Sequence, residues 1–416
     1  MANFAEIGEV EGMAMVAIPS PALFIVPPLR RTLHSEQAPA PLRDQLAAVV
    51  EQSAVAMLDP ALIEAQAEDM GLIKRHRVHH AGLLIAALIL SALQRSTDTQ
   101  GRWLDAQRTY ESIGGARSGK TSFRNNVRKL VPLMNRMLRR RVKELAARTT
   151  DTELRGRLMH FADVLVPDGC AFKVAAALSG VYAGTGTDAE LKLHAVYSVR
   201  VGGAVSVEPS AGSVHDSDGF WPEQWEQGAL YLWDLGFENK QRFIDASSAG
   251  AHVLQRLKSS SNPVVLTSYG RTGHGVAVHD DLGRALRIND AGASGVLHQQ
   301  RVLDLDVRID DDNGRSVVAR VVCVPFGGED RYYLTTLPRS VFTPHDIAEL
   351  YRVRWEVERM FRGWRGALRL DEVVRLSHPK SLIAAVTASL LAATLAQDIT
   401  RELNGLEQRA AGAFPP

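Results

Sequence analysis

Apolar residues recur at helical spacing through the first third of the chain. LRDQLAAVVEQSAVAML (42–58), VHHAGLLIAALILSALQ (78–94) and TSFRNNVRKLVPLMNRMLRRRVKELAA (121–147) each predict a helix, with no good strand among them. The texture changes near residue 160. FADVLVP (161–167), LKLHAVYSV (191–199), ALYLW (229–233) and PVVLTSYG (263–270) read as strands, and NKQRFIDASSAGAHVLQRLK (239–258) reads as a helix. VLDLDVRI (302–309) alternates apolar and polar residues and meets the turn pair Asn313-Gly314, after which VVARVVCV (317–324) returns as the second strand of a hairpin. From Pro344 the period is helical again, through about Leu368 and then over SLIAAVTASLLAATLAQDI (381–399). This pattern predicts an α/β (α+β mixed) protein with a helical N-terminal domain, a mixed core and a β-rich insertion before the last helices.

Composition narrows the class without naming it. The 416 residues correspond to two or three domains, and 45% hydrophobic with 23% charged residues is ordinary for a globular chain. Six of the 18 prolines fall within residues 1–41, which read as a poorly ordered lead-in. Cys170 and Cys323 are too few for a disulfide framework, and a reducing cytosol is expected. The apolar run from Ala81 to Leu93 is too short for a membrane span, and the acidic N-terminus does not resemble a signal peptide. A cytoplasmic protein is expected.

A net charge of +1 says nothing about a polyanionic partner, but its distribution does. Between Arg117 and Arg148 lie eleven basic residues and one acid, Glu144, giving +11 − 1 = +10. Lys120, Arg124, Arg128, Arg139, Arg140 and Arg141 are the expected phosphate contacts of a DNA-binding surface. The same stretch contains GGARSGKT (114–121), a full match to the nucleotide-binding phosphate loop. That loop needs a buried strand before it, and DAQRTYESI is too polar to be one. A turn between helices, with a hydroxyl cap near Ser118 to Ser122, is the better reading.

The segment TPHDIAELYRVRWEVERMFRGWR (343–365) carries the most chemical information. Thr343, Pro344 and Asp346 predict a capped start. At 100° per residue, Tyr351, Arg354, Glu358 and Arg365 fall at about 0°, −60°, −20° and −40°, one polar face opposite an apolar one. The pattern Y-x2-R-x3-E-x6-[K/R] resembles the motif of insertion-sequence-4-like DDE transposases. Asp168, closing FADVLVPD, and Asp234, closing ALYLWD, stand where that family has its other two acids.

The resemblance implies a ribonuclease-H-like core interrupted by a β-rich insertion. It implies Asp168, Asp234 and Glu358 as catalytic residues and ligands of two Mg²⁺ ions, with Mn²⁺ able to substitute. Two divalent ions about 4 Å apart activate the attacking oxygen and stabilise the leaving one. Tyr351, Arg354, Arg362 and Arg365 are the expected DNA contacts beside them. The partners implied are double-stranded element-end and target DNA, with a homodimer or larger assembly at synapsis. The expected units are residues 1–41 (lead-in), 42–158 (helical DNA-binding domain), 159–268 (first part of the catalytic core), 269–336 (insertion), 337–402 (helical remainder with Glu358) and 403–416 (flexible tail). Arg365 stands where Lys is usual and Leu235 where Arg is common. Between Asp234 and Trp355 there is no Trp, leaving Tyr269, Tyr332 and Tyr333 as candidates to hold a flipped base. Two other readings compete: a phosphate-loop NTPase using Gly114–Thr121, and a DNA-binding relative whose active site has decayed.

Overall fold

A computed structural model describes residues 58–412, except 74–78, 94–98, 148–153, 155, 187, 220–221, 223, 259, 270–273, 281, 294–301, 328 and 374–375. The lead-in, most of the helix expected over 42–58 and the end of the tail lie outside the described residues. The helical first third comprises α1 (Pro60–Asp69), α2 (Ala81–Ala92), α3 (Thr99–Ser112), α4 (Lys120–Lys129) and α5 (Val131–Ala147). Later come α6 (Lys240–Ser248), α7 (Pro344–Arg352), α8 (Trp355–Gly366) and α9 (Pro379–Gly412).

The single helix expected over 121–147 is two. Pro132 cannot donate to the carbonyl of Arg128 and its ring crowds that turn, so α4 ends at Lys129 and α5 starts afresh. Of the stretch Gly114 to Thr121, Gly114 to Gly119 connect α3 to α4 and Lys120 and Thr121 open α4, with no strand before them, as the non-nucleotide reading requires. The expected hydroxyl cap is absent: Gly119 is the N-cap and makes no side-chain bond.

Ten strands form one sheet in the order β3-β2-β1-β4-β5-β10-β9-β8-β6-β7. β1 (Val164–Lys173), β2 (Glu190–Ser198) and β3 (Gly203–Ala211) are an antiparallel meander. β4 (Leu230–Trp233) lies parallel to β1, and β5 (His252–Arg256) lies parallel to β4. Order 3-2-1-4-5 with that parallelism is a ribonuclease-H-like core. β5 replaces the end of the helix expected over 239–258, because Gly250 at φ +76° takes the left-handed conformation that stops a helix. The inserted strands β6 (Val264–Tyr269), β7 (Gly275–Ala277), β8 (Leu303–Asp310), β9 (Ser316–Phe326) and β10 (Glu329–Thr335) do not form a separate module. They extend the core sheet, with β10 antiparallel to β5. The β8–β9 hairpin turns at Gly314, φ +78°, as Asn313-Gly314 predicted.

At β4 both faces of the sheet are buried, which explains the unbroken apolar run of that strand. Leu230 and Leu232 join one apolar cluster, Tyr231 and Trp233 the other. The first cluster continues from the sheet through Val357 and Trp364 to α2, α5 and α9, so the N-terminal helices and the C-terminal helix share one core. α2 is buried on nearly every side, as its all-apolar sequence demands. Pro379–Ile399 of α9 is long and apolar enough to cross a membrane by composition, but it is mostly buried inside the protein.

Candidate active site

Asp168 sits within β1, paired with Ala195 across the sheet, rather than at a strand end. β1 runs on through Gly169-Cys170-Ala171 because β2 supplies a partner as far as Glu190. Asp234 is the residue directly after β4, the parallel neighbour of β1. The third acid comes from the C-terminal helices. Thr343 and Asp346 form the expected capping box, each side chain accepting the other residue's backbone N–H.

The helix carrying the motif is interrupted. Val353, Arg354 and Glu356 donate to Leu350, Tyr351 and Val353, three residues back, so a tight turn separates α7 from α8. The single face drawn for a straight helix is therefore re-phased between Tyr351 and Glu358.

Three elements nevertheless meet. The Arg354 guanidinium lies 3.6 Å from Asp168 Oδ2 and 2.5 Å from Glu358 Oε1, bridging strand and helix acids. Its Nε is buried with no acceptor among the described residues. The Tyr351 hydroxyl reaches Asp234 Oδ1 at 3.4 Å and the Trp233 carbonyl at 3.3 Å. Tyr351 is only 8% exposed and packs on Tyr333, so its place is behind Asp234 rather than on a DNA surface. That corrects its expected role as a DNA contact.

Arg365 donates to the Cys170 thiol and the Ala171 carbonyl on β1 and covers Phe172, which ties α8 to the strand of Asp168. Arg362 is exposed on α8. Among the described residues no three acid, His or Cys side chains are already gathered as a metal cluster; Arg354 lies between Asp168 and Glu358 instead.

Burial raises the Asp168 carboxyl to about 7, and the neighbouring Asp234 and Asp216 push the same way; the Gly169 N–H and Arg354 only partly oppose them. Burial also works against the Arg354 charge, but Asp234, Tyr351 and Glu358 outweigh it and hold the guanidinium protonated. Burial raises Tyr351 as well, so its hydroxyl stays a donor.

The sequence reading missed Asp216. A Cβ at Gly169 would stand 2.1 Å from Asp216 Oδ1, so a glycine after Asp168 is what lets residues 216–219 close over β1. Lys192 Nζ lies 3.3 Å from Asp216, and His194, on the same face of β2, lies 3.8 Å from it. Four acids thus stand near two fixed cations. A half-buried oxygen-donor set with surplus negative charge suits a hard divalent ion. The residues present fit the metal that the resemblance implied.

The remaining candidates fall elsewhere. Arg141 is buried and paired with Asp398 of α9, so it cannot meet a phosphate; that corrects its place among the DNA contacts. Arg139 pairs with Glu208 on β3 and Arg140 with Glu144. Lys120 is exposed, Arg124 lies over Trp103, and Arg128 donates to Ser381. Asp304 and Asp306 are held by Arg320 and Arg339. Tyr269 lies beneath Arg339, Tyr332 is half-buried and Tyr333 is buried. Trp355, beside Arg354, is 55% exposed.

The family described as "Transposase DDE domain" matches residues 163–395, more than half of the chain and all three acids. The chain belongs to the DDE transposase family. It is also 35% identical over 80 residues to the transposase for insertion sequence element IS421 of Escherichia coli. The same identity and length relate it to InsL of insertion sequence element IS186A of Escherichia coli K12. These alignments cover 19% of this chain and 21% of each relative, so the chain spans about a fifth of the length of the curated relatives it matches. The ribonuclease-H-like sheet, with the family match laid across it, makes this a DDE transposase domain with its inserted strands fused to the core sheet.

Proposed function

We propose that this chain is the transposase of a mobile element, cutting the element's DNA ends and joining them to a target. The reading rests chiefly on one observation: Arg354 bridges Asp168 of β1 and Glu358 of α8, while Tyr351, one turn earlier, reaches Asp234 after β4. Asp168, Asp234 and Glu358 would hold two Mg²⁺ or Mn²⁺ ions. Bound there, such ions activate an attacking oxygen and stabilise a leaving one in phosphodiester exchange.

The chain's own residues do the rest. Tyr351 orients the Asp234 carboxylate through its hydroxyl. Arg365 fixes α8 on β1, and with it the spacing of Glu358 from Asp168. With Asp168 and Glu358 holding cations, the rigid fork of Arg354 would be free to grip phosphate, which could also satisfy its unpartnered Nε. Trp355 offers an exposed ring beside that fork, able to stack on a base at the cut end. Water is the nucleophile for cleavage, breaking the P–O3′ bond to leave a 3′-hydroxyl and a 5′-phosphate. That 3′-hydroxyl then attacks a target phosphodiester, so no covalent link to protein is needed. Exposed basic residues of the helical region would hold the flanking duplex, in the cytosol or nucleoid, with two or more copies at synapsis.

The test is to incubate purified protein with duplexes spanning the element boundary and Mg²⁺ or Mn²⁺. Nicking at the boundary, lost in Glu358→Gln, supports the reading. Normal binding with no nicking under either metal contradicts it and leaves a DNA-binding relative.

A further inference from the structure

The two basic helices, a single stripe in the sequence, differ in what their charges do. On α5, Arg139, Arg140 and Arg141 all face carboxylates, those of Glu208, Glu144 and Asp398. On α4, none of the four cations Lys120, Arg124, Arg128 and Lys129 has an acid partner among the described residues. Arg124 lies over Trp103, Arg128 bonds Ser381 and Asn125, and Lys129 bonds Asn126. The helix contains no acid of its own. The positive surface continues onto the start of α9, where burial and then Arg128 and Lys380 disfavour a charged His378.

α4 is also firmly seated. Phe123 and Val127 are buried, with the Phe123 ring against Trp103 and Tyr110 of α3. The turn from α3 is equally tight, since a Cβ at Gly115 would lie 2.4 Å from the Tyr110 ring. Opposite Phe123 the helix exposes Thr121, Asn125 and Lys129. A ten-residue helix is about 15 Å long, and the major groove, about 12 Å wide, admits one. Asn pairs with adenine through both its donor and its acceptor, and Thr contacts base edges or the thymine methyl.

We propose that α4 enters the major groove of the element-end DNA, with Asn125 and Thr121 reading bases and Lys120, Arg124 and Lys129 gripping the flanking phosphates. This rests on the DNA-acting reading above and specifies which surface chooses the DNA. α5 serves as its brace, tied to β3 through Arg139 and to α9 through Arg141.

The experiment presents the full chain with a pool of duplexes randomised over 20 base pairs and sequences the bound fraction. The wild type enriches a motif. Asn125→Ala loses preference at one or two adjacent positions, by roughly 5- to 150-fold, the range of one bidentate base contact. Thr121→Val, which keeps the side-chain shape, shifts a neighbouring position. Lys120→Ala with Lys129→Ala weakens binding to every sequence and flattens the log–log salt slope by about 1.8, two phosphate contacts' worth. An unchanged motif in Asn125→Ala and Thr121→Val overturns the α4 assignment, as does an unchanged slope in the lysine pair or a wild type that binds every duplex equally. A wild type that binds no duplex at all instead removes the function proposed for the chain. Asn125 is exposed and away from the acids, so boundary cleavage of a selected duplex by the wild type tells the two failures apart.

Discussion

Replacing Asp168 by Asn removes a charge that the fold holds against solvation. Burial lifts the carboxyl from 3.8 to about 7, with Asp234 and Asp216 adding to the shift. A raised carboxyl pKa means that the folded chain keeps a proton which the unfolded chain has already released. The associated stability is full below about pH 4, declines through the interval and is gone above about pH 7. The two values differ by 7 − 3.8, about 3 units, which at 1.36 kcal/mol per unit sets a ceiling of about 4 kcal/mol. The amide keeps the oxygen that accepts the Gly169 N–H but gives up the ion pair with Arg354, so a gain of about 1–3 kcal/mol at pH 8 is expected. Thermal midpoints of the full chain in EDTA, from pH 4.5 to 8, should therefore diverge as pH rises, with Asp168→Asn the more stable at the alkaline end. Millimolar Mg²⁺ should raise the wild-type midpoint at pH 8 and move the Asn variant much less, because only a ligand of the native state stabilises it. Parallel pH profiles would refute burial as the cause of the raised Asp168 carboxyl, and equal Mg²⁺ responses would refute Asp168 as a ligand.

Three further outcomes follow from named contacts. Arg354→Lys keeps the charge but loses the fork between Asp168 and Glu358, and should slow boundary cleavage at least tenfold, whereas Arg365→Lys should stay within threefold; equal losses in a single-turnover assay would refute the distinction. Arg141→Ala should cost about 3–5 kcal/mol in denaturant unfolding by stranding Asp398, with the DNA salt slope unchanged; a flatter slope at unaltered stability would return Arg141 to the DNA surface. Trp355→Ala should reduce cleavage while Trp355→Phe retains most of it, with binding of intact duplex unaffected in both; equal activity of the two variants would dismiss stacking.

The elements most legible in the sequence were those with a local cause. Asn313-Gly314 announced its hairpin, Thr343 and Asp346 their capping box, and the apolar run of β4 its burial on both faces. What escaped depended on partners distant in sequence. β5 hid inside a helical pattern because HVLQR becomes a strand only between β4 and β10. Arg141 looked like its neighbours in a basic run until α9 placed Asp398 against it. The insertion was recognisable as strands, but nothing local revealed that β10 would pair with β5 and fuse it to the core sheet. At the site, the pattern that resembles the family singled out Asp168, Asp234 and Glu358. It passed over Asp216, whose approach to Gly169 depends on a turn some 50 residues away, and it drew Tyr351 and Glu358 on one straight helix that the turn at Val353 interrupts.

The central claim is that three acids on three elements act as one centre, separable from DNA binding. The direct measurement is single-turnover cleavage of a boundary duplex by Asp168→Asn, Asp234→Asn and Glu358→Gln, beside each variant's affinity for the same duplex in Ca²⁺. The account predicts that every variant binds within about threefold of wild type while cleavage falls at least a thousandfold in each, more than 4 kcal/mol of lost transition-state stabilisation. A variant of any one of the three that still cuts at near the wild-type rate would contradict it.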